Sequence, residues 1–174
     1  MKLRIYISLL LVLTSCNEQS FKEDHPKAKR STTPSLHVYA VQIAKELGLN
    51  LQSVATIATE GLSQFRLTYT CQKSVVTDAA RSIGVYAVKR FIDLMEESSD
   101  ALPSDAIRLQ ISFVDKHARA VSQPYVAELV FTDGSFCYYK VDTATKKKRL
   151  VLRESFTDAL RQSANNTKSR TLYR

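Results

Sequence analysis

The chain has 174 residues and a formal net charge of +8 at pH 7, from 25 Lys and Arg against 17 Asp and Glu. Its 44% apolar and 24% charged residues are ordinary globular usage, which excludes collagen-like, wholly disordered and polytopic membrane classes. One domain is expected at this length, and the basic balance alone would point to nucleic acid.

The first sixteen residues change that expectation. Lys2 and Arg4 precede an apolar run, Ile5 to Leu13, broken only by Ser8, and Leu13-Thr14-Ser15-Cys16 follows at once. A positive start, a short apolar stretch and small residues have the form of a secretory signal. At about 1.5 Å per residue the run is too short to cross a hydrocarbon core of about 30 Å as a helix. The four residues ending in Cys16 resemble the bacterial lipobox. That resemblance implies cleavage before Cys16, a diacylglycerol-modified cysteine and a mature protein anchored in the bacterial cell envelope. Asn17, standing where an Asp would retain such a protein at the inner membrane, favours the outer one. Lipid chains contribute about 0.8 kcal/mol per buried methylene, so two or three of them hold a protein on a bilayer.

Residues 1–15 are therefore read as signal peptide and residues 16–35 as the lipidated Cys16 with a flexible tether. Beyond Cys16 the tether has only Phe21 and Ala28 as apolar residues, carries Pro26 and Pro34, and mixes both charge signs. Flexible-chain scaling gives it a reach on the order of 25 Å. An exported chain meets little nucleic acid, so that partner is set aside.

From Leu36 onward the pattern becomes structured. Leu36, Tyr39, Ala40, Ile43 and Leu47 recur at helical spacing, with Ser35 at the start and Gly48 at the end. Leu49 to Thr59 is apolar and β-branched up to Gly61 and is read as a strand. Phe65, Leu67, Tyr69 and Cys71 alternate with Arg66, Thr68 and Thr70, the period of a half-buried strand. Ser74 to Glu97 predicts the longest helix: Ala80, Ile83, Gly84, Ala87, Val88, Phe91, Ile92 and Met95 form its apolar stripe, with Arg81, Lys89, Arg90 and Asp93 placed elsewhere.

Ile107, Leu109, Ile111 and Phe113 alternate with Arg108, Gln110 and Ser112 in a further strand. Asp133-Gly134 between Tyr125–Thr132 and Ser135–Val141 predicts a type I′ hairpin. Its register pairs Phe131 with Phe136 and Leu129 with Tyr138 on one face, and Val130 with Cys137 and Glu128 with Tyr139 on the other. Leu150 to Leu152 extends a strand, and the spacing of Ser155 and Asp158 caps a helix reaching about Ala164. Residues 36–164 are thus expected to form one α+β domain: an antiparallel sheet of four or five strands with helices mostly on one face. Residues 165–174 read as a frayed basic tail. This order of elements resembles small bacterial lipoproteins, with no motif that transfers an activity.

Motifs for chemistry are sparse. With Cys16 lipidated, Cys71 and Cys137 remain, and a disulfide and two separate buried thiols are both left open, because the residues fall on opposite-facing sets of their strands. His25, His37 and His117 are scattered, with no His/Cys/Asp constellation for a metal or a triad. Only four glycines occur, so no phosphate-cradling loop or nucleophile elbow can be assembled. No catalytic residue, metal or cofactor is assigned.

Charge distribution is more informative. Without the signal peptide the net is +6, residues 16–141 hold 14 basic and 14 acidic side chains, and residues 142–174 hold 9 and 3. The excess therefore sits in a C-terminal segment that includes Lys146, Lys147, Lys148, Arg149 and Arg153. Such a cluster suits an anionic envelope component or an acidic protein. The expectation is a non-enzymatic, lipid-anchored binding or interaction module. An envelope enzyme with a site assembled from distant residues, and a purely structural lipoprotein, are the alternatives.

Overall fold

The computed structural model describes residues 34–59, 62–97 and 106–171. The expected signal segment, Cys16 and the expected tether up to residue 33 lie outside them. The chain runs α1 (Pro34–Leu47), β1 (Asn50–Thr59), β2 (Leu62–Cys71), α2 (Thr77–Glu96), β3 (Ile107–Phe113), β4 (Glu128–Thr132), β5 (Ser135–Val141), β6 (Lys148–Ser155) and α3 (Phe156–Thr171). Among the described helices, none is long and apolar enough to cross a membrane.

The six strands lie in the order β1-β2-β3-β4-β5-β6. The α+β class holds, but the expected wholly antiparallel sheet of four or five strands is corrected: the sheet has six strands and β2 runs parallel to β3. The 20-residue helix α2 is the reason for the parallel pair. It carries the chain back along the sheet, so the strand after it sets out in the direction of the strand before it. The additional strand length lies at the edges. β6 occupies Lys148–Ser155 rather than Leu150–Leu152, and its side chains are mostly exposed, so it lacks the alternation that marks half-buried strands.

All three described helices pack on one face of the sheet. Leu36, Ala40 and Ile43 of α1 are buried, and the Tyr69 hydroxyl donates to the Ala40 carbonyl at 3.2 Å. α1 ends as the glycine suggested: Gly48 takes φ +64°, and the Leu49 amide reaches back to the Ala44 carbonyl at 2.8 Å. α2 lies over the sheet centre with Ala80, Ala87, Val88 and Phe91 inward. Its approach is so close at Gly84 that a Cβ there would stand 2.5 Å from Leu129 Cδ2 and 2.9 Å from Phe136 Cε1. α3 closes the end, with the Phe156 ring centroid 5.8 Å from Phe131 and 6.2 Å from Phe136. Each large apolar side chain buried in this layer contributes about 1.5–3 kcal/mol, and Leu67, Tyr69, Phe91, Ile107, Leu109, Ile111, Phe113, Phe131 and Phe136 are all essentially fully buried.

The β4–β5 hairpin has the expected register, Phe131 with Phe136 through Glu128 with Tyr139. Asp133 and Gly134 have φ of 49° and 67°, as a type I′ turn requires. The Ser155 hydroxyl accepts from the Asp158 amide at 3.1 Å and donates to its carboxylate at 2.7 Å, the anticipated cap. The helix it starts continues to Thr171, so the segment expected to fray from residue 165 is helical for seven more residues.

The structure decides one alternative that the sequence left open, in favour of two separate buried thiols, and corrects one expectation. Cys71 and Cys137 are free and buried. They lie on β2 and β5 with β3 and β4 between them, about 14 Å apart at about 4.8 Å per strand, against a Cα separation of at most about 7 Å for a disulfide. Arg81, assigned to the charged side of α2, is buried instead.

Candidate functional site

Alternation along each strand sends one set of side chains under the helices and the other to a face that no described helix covers. On that uncovered face the parallel register sets Arg66 of β2 directly beside Arg108 of β3. One row along, Thr68 stands beside Gln110, Gln110 beside Val130, Val130 beside Cys137 and Cys137 beside Arg153. A further row holds Ser112, Glu128, Tyr139 and Leu150.

The charges of this face are unequal. Glu128 is its carboxylate among the described strand residues, and it is already engaged: it accepts from Gln110 Nε2 at 2.7 Å and from Lys148 Nζ at 2.9 Å. Arg66, Arg108 and Arg153 have no ion-pair partner among the described residues. Arg66 and Arg108 line a groove of about 360 Å³ with Gln110, Val130 and Thr132. The Arg108 Nε is buried and has no hydrogen-bond partner.

The basic residues singled out from the sequence are sorted rather than gathered. Lys146 and Lys147 occupy the β5–β6 turn, with Lys146 at φ 56°. Asp142 builds that turn: its Oδ1 accepts from the amides of Ala144 and Thr145 at 3.0 and 2.8 Å and from the Thr145 hydroxyl at 3.0 Å. Those hydrogen bonds, the Thr145 amide first, hold the Asp142 carboxyl below its ordinary pKa. Lys148 is paired with Glu128. Arg149 stands opposite Lys140 on the other side of β6 from Arg153, because a bulge at Tyr138/Tyr139 and strict alternation separate them. Only Lys148 and Arg153 therefore share the uncovered face with Arg66 and Arg108.

The covered face contains a contrasting cluster. Arg81 Nε donates to Glu154 Oε1 at 2.8 Å, and Arg81 Nη1 bonds Asp78 Oδ1 one turn earlier on α2. Both Arg81 and Glu154 side chains are 6% exposed, and the guanidinium lies 6.0 Å from the Tyr138 ring centroid. Burial opposes the Arg81 charge, but the bonds from Glu154 and Asp78 outweigh it and raise its pKa. Burial, followed by the nearby Glu154, pushes the Tyr138 hydroxyl far above its ordinary range.

For thiol chemistry the placement is unfavourable. Burial pushes the Cys71 thiol up, against a smaller opposing effect of Lys73. His37 and His117 are exposed. Among the described residues no three His, Cys, Asp or Glu side chains converge to hold a metal ion.

Arg66 and Arg108 were visible as outward members of alternating strands, but their meeting depends on the parallel register. The Arg81–Glu154 pair bridges 73 positions and had no local signal. Compared with family models, curated proteins and solved structures, the chain matches none.

Proposed function

We propose that the chain is an exported, lipid-anchored protein of the bacterial cell envelope, held through Cys16 and directed to the outer membrane by Asn17. Its folded part serves as a binding module rather than an enzyme and meets an anionic envelope component or an acidic protein. One observation carries the reading: the uncovered sheet face and the adjoining β5–β6 turn present Arg66, Arg108, Arg153, Lys146 and Lys147 without carboxylate partners among the described residues. Near anionic headgroups each such cation contributes about 1 kcal/mol, decaying over a Debye length of about 8 Å.

Two experiments test this. Cys16→Ala abolishes metabolic lipid labelling; labelling at full level would remove the anchor from the proposal. Replacing Lys146, Lys147, Lys148 and Arg149 by Gln lowers salt-sensitive binding to purified envelope fractions. Unchanged binding at low ionic strength would remove the contribution of the turn.

A further inference from the structure

We infer that the groove between Arg66 and Arg108 is a discrete phosphate-binding site. The inference depends neither on the lipid anchor nor on the basic turn, which joins β5 to β6, with β4 between it and the strand of Arg108.

Two like charges placed side by side on neighbouring strands destabilise a sheet. Here the parallel register sets Arg66 beside Arg108, and no carboxylate among the described residues pairs with either. The arrangement becomes favourable once an anion lies between the two guanidiniums. The Arg108 Nε, buried without a partner, makes the same point at the level of one atom: a buried donor left unsatisfied costs about 1–3 kcal/mol and more when charged. The groove of about 360 Å³ gives a ligand room, with Val130 and Thr132 on its far side.

The charge selects the ligand. A carboxylate neutralises one guanidinium, whereas a phosphate monoester carries about −1.5 to −2 at pH 7 and offers oxygens to both. Gln110 directs its amide nitrogen to Glu128 at 2.7 Å, so the two arginines are the groove's cationic donors. One acid stands near the rim: Asp133 accepts from the Thr132 hydroxyl at 3.2 Å. Its carboxylate competes with the phosphate and sets a ceiling on affinity.

The test is titration of inorganic phosphate into the purified full chain in uncharged detergent at low ionic strength, followed by amide chemical shifts and calorimetry. Saturable binding is expected with a dissociation constant on the order of 1 mM and shifts concentrated on β2 and β3. Arg66→Ala and Arg108→Ala each weaken it by about tenfold or more. Arg108→Lys restores only part, because a point charge lacks the guanidinium fork. Asp133→Asn, which keeps a residue that accepts positive φ, tightens binding about two- to threefold, and Lys116→Ala, at an exposed position on the β3–β4 connection, leaves it unchanged. Arg66 is exposed, so Arg66→Ala decides the question even where an Arg108 variant fails to fold.

Glycerol phosphate and nanodiscs containing phosphatidylglycerol separate the two sources of the group. Loss of either interaction in the Arg66→Ala/Arg108→Ala double variant supports the site and names its source. Absence of saturable binding to all three probes, or binding that survives the double variant, overturns it. Nanodisc binding that depends on Lys146–Arg149 alone would overturn this site while leaving the envelope-module reading intact.

Discussion

The two faces of the sheet use arginine in opposite ways. On the covered face Arg81 is held by Glu154 and Asp78, stacked near Tyr138 and removed from water. On the uncovered face Arg66 and Arg108 lie side by side with no acid among the described residues to neutralise them. Residue type alone therefore says little: a guanidinium with its carboxylates in place is part of the structure, and one without them is available to a ligand.

The largest test of that contrast is Glu154→Ala. Removing one partner leaves Arg81 charged and buried, and because Asp78 remains, the loss is expected at the lower end of the usual range, about 3 kcal/mol in urea unfolding. Arg81→Met with Glu154→Leu recovers most of it; failure of the double variant to recover would mean that the pair does more than neutralise itself. Gly84→Val comes next, at about 2 kcal/mol, because its side chain has no room against Leu129 and Phe136.

A milder effect concerns acid. Asp142 has a depressed pKa in the folded chain, so its contribution is fully present above the ordinary carboxylate value near pH 4 and is lost as the pH falls through the lower folded value. The protection factors of the Ala144 and Thr145 amides, taken relative to intrinsic exchange at each pH, should fall over that window while those of β3 hold. Smallest of all, Arg66→Ala and Arg153→Ala should change stability by no more than about 0.5 kcal/mol. A large loss at either position would erase the distinction between the faces.

Much of this architecture was legible locally. Alternation placed Ile107–Phe113, and the Asp133-Gly134 dipeptide fixed a hairpin register that the structure reproduces pair for pair. Helical spacing found α1 and α2. What escaped depends on contacts between distant segments. The direction of β3 relative to β2 follows from the whole α2 crossover, so the Arg66–Arg108 meeting could not be read from either strand. Arg81 sits on α2 among residues that look like a solvated face, and Glu154, arriving on the edge strand β6, joins Asp78 in making its burial tolerable. The basic C-terminal segment is a concentration of charge in the sequence, but a bulge and a neighbouring Glu128 divide its residues between different surroundings.

The edges of the sheet have a consequence for self-association. Among the described residues, β1 and β6 each have one side without a strand neighbour, the position from which a sheet can lengthen by capturing another chain. β1 is irregular between Leu51 and Ser53, and the pairing of β6 is interrupted by a bulge at Tyr138/Tyr139. β6 also carries Lys148, Arg149 and Arg153 along its length, and charges and bulges of this kind discourage strand-to-strand growth. These cations thus repel an identical copy at that edge, and copies brought close together would be kept from zipping into a continuous sheet.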